Sequence, residues 1–298
     1  MKVVKNKSES IRSKLYSVAK NMNKDFNAIL LQYAQERFLY RLSISPYRAN
    51  LLLKGGMFLK FFDMPSSRPT TDIDFLGLNL QNDYVGLENM VKEIVAIDYD
   101  DGVVFNSDSV KSDTIKENDV YQGIRITLVA FLGNAKSKIQ LDIGFGDKVV
   151  PSQLEILFPT ILSDSSSPEI FAYSPESAIA EKFQAIVSLG LITSRMKDFY
   201  DIYYLSHHYQ FHSTELLLAL ETTFRQRNTE LSSIALIFNK EFMSNPEKHT
   251  QTILIYNNMT SEYIQIKFIM LNCLVEHSFY YELYFICITL INFMQIII

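Results

Sequence analysis

At 298 residues the chain is long enough for one large domain or two modest ones, each with its own core. Its 28 Lys and Arg against 33 Asp and Glu give a formal charge of −5, which excludes a global basic field, so any nucleic-acid substrate has to meet a local patch. Two cysteines near the C-terminus, Cys273 and Cys287, exclude a disulfide framework and a cysteine zinc site, and the five histidines show no HExxH or similar ligand spacing.

The opening MKVVKNKSES is basic but runs into the mixed polar sequence IRSKLYSVAKNMNKD, so no signal peptide is predicted and a cytoplasmic location is expected. From Ser8 to about Ser43 the apolar residues Ile11, Leu15, Val18 and Met22, then Phe26, Ile29, Leu30, Tyr33, Phe38 and Leu42, recur at helical spacing. Two helices are predicted, the second capped by Asp25. After a turn at SPYR, the short apolar segment in ANLLLKGG ends at Gly55 and Gly56, where a loop tip is expected because glycine tolerates backbone conformations that other residues resist. MFLKFF then reads as a short helix. SSRPTTDIDFLGL reads as a loop entering a strand, with Asp72 and Asp74 on one face and Ile73 and Phe75 on the other.

A helix is predicted over 87–97, and the β-branched, apolar stretch 123–132 reads as a strand. In 138–145, Ile139, Leu141, Ile143 and Phe145 oppose Lys138, Gln140, Asp142 and Gly144, and GNAK joins the two strands as an antiparallel hairpin. The Ser- and Pro-rich SDSSSPE at 163–169 marks an internal boundary. Beyond it, SPESAIAEKFQAIVSL predicts a helix with Ser174 as cap and Pro175 in its first turn, and SRMKDFYDIYYLSHHY predicts another.

This pattern predicts an α/β (α+β) domain over 1–162, with a mixed or antiparallel sheet and two N-terminal helices, followed by a helical domain over 163–250. The tail 251–298 is atypical, with Lys267, Glu276 and Glu282 its only charges after position 266. Its last 16 residues, LYFICITLINFMQIII, fall short of the roughly 20 that span a bilayer and include Asn292 and Gln295. A buried helix or an altered reading frame accounts for it better than an anchor, and no stable membrane association is expected.

Chemistry concentrates in GGMFLKFFDMPSSRPTTDID. A glycine turn at a helix start offers backbone N–H groups to a triphosphate, and a D-x-D pair on a strand presents two carboxylates to a hard divalent cation. Each part alone reads as an ordinary turn or strand edge. Asp142, on the open face of its own strand, supplies a third carboxylate of the kind a two-metal site needs. Arg68 and Thr71 precede the pair as candidate phosphate contacts. In the helical half, Lys182 sits within a largely apolar helix, and Arg195, Lys197, Asp198 and Asp201 share one helix at spacings of three and four. They form either a surface ion-pair ladder or, with Lys182 and Lys197 as triphosphate binders, a second part of a nucleotide site.

The segments ERFLYRLSISPYR, LLLKGGMFLKFF, RPTTDIDFLG, KIQLDIGFGD, ESAIAEKFQAIV and RMKDFYDIYYL, in this order over roughly 25–210, resemble the AbiEii/AbiGii-type nucleotidyltransferases. These are toxins of type IV toxin–antitoxin and abortive-infection systems within the wider DNA polymerase β-like superfamily. The resemblance implies that Asp72, Asp74 and Asp142 bind Mg²⁺ or Mn²⁺, that Gly55 and Gly56 form the turn beside the nucleotide, and that Lys182 with the Asp198/Asp201 segment completes the active site. It also implies transfer of a nucleoside monophosphate from an NTP to a hydroxyl of RNA, such as the tRNA 3′ end, or of a protein, and a cognate antitoxin as partner. The chain departs from the superfamily at Gly56, where many members carry serine, and in its tail. Two alternatives remain: a metal-dependent glycosyltransferase, which also uses D-x-D, and an inactive remnant that serves as a binding protein.

Overall fold

A computed structural model of the chain describes residues 7–62, 70–115, 123–190, 195–230 and 233. In chain order the elements are α1 (Lys7–Asn21), α2 (Phe26–Ser43), β1 (Leu51–Lys54), α3 (Gly55–Leu59), a 3-10 turn (Lys60–Phe62), β2 (Asp72–Gly77), α4 (Tyr84–Val95) and β3 (Val103–Ile115). They continue with β4 (Gly123–Leu132), β5 (Ala135–Phe145), β6 (Leu154–Leu157), β7 (Glu169–Ala172), α5 (Pro175–Leu189), α6 (Met196–His208) and α7 (Ser213–Gln226). The described residues fall into two compact units. The first lies within Met1–Phe61, Pro69–Asp147 and Gln153–Tyr173, and the second within Phe62–Arg68, Lys148–Ser152 and Ser174–Ile298.

The first unit is built on a seven-stranded sheet in the order β3-β4-β5-β2-β1-β7-β6. The β2/β5 and β1/β7 pairs are parallel and the others antiparallel, which is the mixed α/β architecture that the sequence predicts. The β4–β5 hairpin closes as GNAK foretells: Leu132 pairs with Ala135, and the two-residue turn between them contains Gly133 at φ 59°. Asp25 caps α2 by accepting from the Ala28 N–H at 3.0 Å. Helix α4 starts at Tyr84, three residues earlier than its apolar spacing indicates, because Asp83 accepts from the Gly86 N–H at 2.7 Å and supplies the cap.

Three strands escape the sequence reading. β3 is an edge strand whose polar residues are largely exposed, so it lacks a clean apolar alternation, and β6 and β7 are four residues each. The loop tip expected at Gly55 and Gly56 is absent. Lys54 ends β1 and Gly55 begins α3 directly, so the glycines occupy a helical first turn.

Helix α2 is buried along most of its length and carries charged residues into the interior. Arg41 forms a bidentate pair with Asp101, Nη1 to Oδ2 at 2.6 Å and Nη2 to Oδ1 at 3.2 Å, and donates to the carbonyls of Arg37, Ile97 and Val103. Asp101 in turn accepts from the Val103 N–H, so the pair joins α2 to the start of β3. Glu36, fully buried, accepts from Gln32 Nε2 and from the Ile161 N–H, each at 3.0 Å. Burial pushes its carboxyl up to about 7 against the opposite pull of these hydrogen bonds and of Lys60 and Arg37.

The second unit is helical among its described residues. Ser174 Oγ accepts from the Ser177 N–H at 3.1 Å and so caps α5 with Pro175 in the first turn, as the sequence predicts. Phe183 of α5 meets Phe224 of α7 at 5.8 Å, and Gln184 donates to Thr229 at 2.7 Å. No described helix is long and apolar enough to cross a membrane. The tail, 251–298, lies outside the described residues.

Two outcomes follow from the buried charges. Arg41→Met leaves the buried Asp101 carboxylate without its guanidinium and should lower unfolding stability by about 3–5 kcal/mol in denaturant titration. The folded chain keeps a proton on Glu36 up to about pH 7, whereas the unfolded chain loses it near 4.5, so stability falls as pH rises through that window. Glu36→Gln should flatten this part of a Tm-against-pH curve, and an unchanged slope would assign the dependence to another group.

Candidate functional site

The sheet register builds one polar face. In β2 the side chains of Ile73 and Phe75 are fully buried, which turns Asp72 and Asp74 to the other face. Asp74 pairs with Lys54 on β1 and with Asp142 on β5, Asp142 pairs with Arg125 on β4, and Arg125 pairs with Asp113 on β3. Directly paired residues share a face, so five adjacent strands carry a row of charges in the order plus, minus, minus, plus, minus. Asp72 lies two residues along the same face, paired with Gln140.

Asp72, Asp74 and Asp142 are half-buried, and one carboxylate oxygen from each lies within 4.8 Å of the others. Three hard, anionic oxygen donors at this spacing suit Mg²⁺ or Mn²⁺ and suit soft metals poorly. Neighbours orient them. Thr70 Oγ1 donates to Asp72 Oδ1 at 3.0 Å, whereas Thr71 is exposed at the mouth of β2. Arg125 grips Asp142 with Nε on Oδ1 at 2.9 Å and Nη2 on Oδ2 at 2.7 Å, and Gln140 Nε2 lies 3.3 Å from Oδ2.

Gly55 meets two requirements that no other residue meets together. Its φ of +64° favours glycine, and a Cβ there would lie 1.9 Å from Asp74 Oδ2. α3 has only five residues, too short for a strong helix dipole, so at this turn close approach to the carboxylate matters more than the dipole. Gly56 occupies the same first turn. Lys54, just before it, packs over the Tyr173 ring at 5.2 Å and lies 3.4 Å from Asp147 Oδ2. Arg68 lies outside the described residues.

In the second unit, Lys182 Nζ on α5 donates to Asp198 Oδ1 at 2.9 Å and to Asp201 Oδ2 at 2.7 Å, both on α6. Arg195 Nη1 holds the other Asp198 oxygen at 2.9 Å. Burial disfavours the Asp198 charge, yet Lys182 and Arg195 outweigh it and hold the carboxyl below the usual carboxylate range. The two Lys182 pairs are buried and interhelical, while Arg195–Asp198 is an i,i+3 pair with a partly exposed arginine, as a ladder has it. Lys197 is exposed on α6.

Arg125 was legible in principle, whereas Lys54 was not. Buried Ile124 and Ile126 flank Arg125, and counting back from a two-residue turn at Gly133 puts it opposite Asp142. Lys54 becomes informative only once β1 is known to pair with β2.

Among solved structures, a protein of H. pylori assigned provisionally as a nucleotidyltransferase aligns at TM-score 0.42 and 15% identity, over 78% of this chain and 94% of its own. JHP933 from Helicobacter pylori aligns at 0.40 and 16%, over 82% and 97%. An antigenic nucleotidyltransferase-like protein from Paracoccidioides brasiliensis aligns at 0.38 and 13%, over 70% and 91%. Scores at this level carry no functional weight. No curated protein matches the chain. A family model described as the nucleotidyl transferase AbiEii toxin of type IV TA systems, in contrast, matches residues 37–265, and with it the glycosyltransferase alternative loses its ground. That match takes in β1, the glycine turn, all three aspartates and the Lys182 cluster, and the chain belongs to the AbiEii family of nucleotidyltransferase toxins.

Proposed function

We propose that this toxin nucleotidyltransferase is metal-dependent, with Asp72, Asp74 and Asp142 as metal ligands, and that it moves a nucleoside monophosphate from an NTP to a hydroxyl of a tRNA-like RNA. The observation that carries the reading is the convergence of the three carboxylates on one face of the sheet, within 4.8 Å, inside the segment that the family model matches. When bound, Mg²⁺ or Mn²⁺ neutralises triphosphate oxygens and makes the acceptor hydroxyl more acidic. The acceptor oxygen forms a bond to the α-phosphorus as the bond to the pyrophosphate oxygen breaks, and the hydroxyl proton is released. Such a displacement depends chiefly on positioning and charge neutralisation.

The residues of this chain provide the positioning. Thr70 orients Asp72, Arg125 holds both oxygens of Asp142, and Gly55 lets the backbone pass beside Asp74 without a clash. On the resemblance to the family, Gly55 and Gly56 border the nucleotide and Lys182, held by Asp198 and Asp201, completes the site, while Arg68, Thr71 and Lys197 are further nucleotide contacts by residue type and position. A protein hydroxyl is the alternative acceptor, and a cognate antitoxin is the partner. The acidic balance of the chain means that RNA meets a local basic patch.

Purified protein with Mg²⁺, labelled NTPs and total tRNA should transfer label to RNA, and EDTA should stop it. Asp74→Asn should lower the rate by at least about a hundredfold while the protein stays folded. Equal labelling by this variant would sink the ligand assignment, label on protein alone would replace the acceptor, and no labelling with any nucleotide would favour an inactive binding protein. Gly55→Ala should abolish transfer nearly as completely, because the added methyl needs the space of the Asp74 carboxylate. Activity within twofold of the parent protein would show that this turn adapts.

A further inference from the structure

Arg125 stands outside the ligand set yet takes up both oxygens of one ligand. Three carboxylates with oxygens within 4.8 Å repel one another, and Asp142 at 13% exposure gets only partial help from water. Arg125 answers part of this charge with two parallel N–H bonds, at 2.9 and 2.7 Å. The contact is not a chance meeting of surface side chains. Arg125 and Asp142 are direct partners across the β4–β5 hairpin, and buried Ile124 and Ile126 anchor the backbone on either side. Its other neighbour in the row, Asp113, is exposed.

We propose that Arg125 is a built-in counter-ion that neutralises Asp142 and thereby opposes metal loading, since guanidinium and metal draw on the same negative charge. The proposal rests on the reading of Asp72, Asp74 and Asp142 as metal ligands. Arg125 is a positioning residue that sets the metal concentration at which the site fills, while the fold tolerates the metal-free state. A residue that merely packs would stabilise metal-free and metal-loaded protein equally. A residue whose sole task is to aim Asp142 at the ion would weaken metal binding when removed. A counter-ion does neither.

The test uses the full chain with Arg125→Met and Arg125→Lys. Mn²⁺ binding is read from the free-ion electron paramagnetic resonance signal, and thermal unfolding is followed in EDTA and in saturating Mn²⁺. Arg125→Met should lower Tm in EDTA, show a larger Mn²⁺-induced rise than the parent protein, and bind Mn²⁺ roughly tenfold more tightly. Arg125→Lys keeps the charge without the fork and should stay within about threefold of the parent affinity. Unchanged or weaker Mn²⁺ binding by Arg125→Met, or an equal Tm loss in both conditions, overturns the proposal. If Arg125→Met does not fold, a drop in Mn²⁺ affinity beyond tenfold in Arg125→Lys overturns it instead. Asp74→Asn runs alongside: a parent protein that binds Mn²⁺ no better than this variant refutes the metal site itself, a result distinct from any change confined to Arg125.

Discussion

The parallel pairing of β2 with β5, with β1 antiparallel on the other side, is the constraint on which the rest of the first unit depends. It brings Asp74 beside Asp142, and through their neighbours it aligns Lys54 and Arg125 with them. Because side chains alternate along a strand, a slip of one residue in β2 would drive Asp72 and Asp74 into the core and push Ile73 and Phe75 into solvent. The apolar half of the strand thus fixes the polar half. Burial of Ile73, Phe75, Leu141 and Ile143 holds the carboxylates together against their repulsion.

The same register makes Gly55 indispensable. Close packing of β1 on β2 leaves a backbone atom where a side chain would meet the Asp74 carboxylate, and the positive φ of Gly55 begins α3 without a connecting loop. Turn, strand and carboxylate form one steric unit. Charge within the fold is also managed in pairs. Arg41 and Asp101 are buried together, Arg125 meets Asp142 at the cluster, and Lys182 in the second unit is held by two aspartates. In each case a cation hydrogen-bonds a carboxylate that is largely withdrawn from water, and at Asp198 this holds the carboxyl below its usual range.

Much of this was legible in the residues, and for local reasons. Asp25 and Ser174 each act within three residues of themselves, the hairpin follows from a two-residue turn, and period-two alternation put Asp72, Asp74 and Asp142 on open faces. What escaped is non-local or low in contrast. β3 hides because an exposed edge strand has no apolar stripe, and β6 and β7 are too short to show a period. The loop expected at the glycines came from a sound rule about glycine, overridden by β1 running straight into α3.

By itself the sequence determined which faces are apolar, where helices start, and that three aspartates stand on polar strand faces, because these properties depend on near neighbours along the chain. Only the tertiary structure decided that the aspartates meet, since the β2/β5 pairing joins residues some seventy positions apart. It also decided that Lys54 flanks them, that Gly55 must stay bare beside Asp74, and that Lys182 is claimed by both Asp198 and Asp201. Outside the β4–β5 hairpin, whose register its two-residue turn sets, strand order and register arise from burying the whole sheet at once, and no local pattern in the chain encodes them.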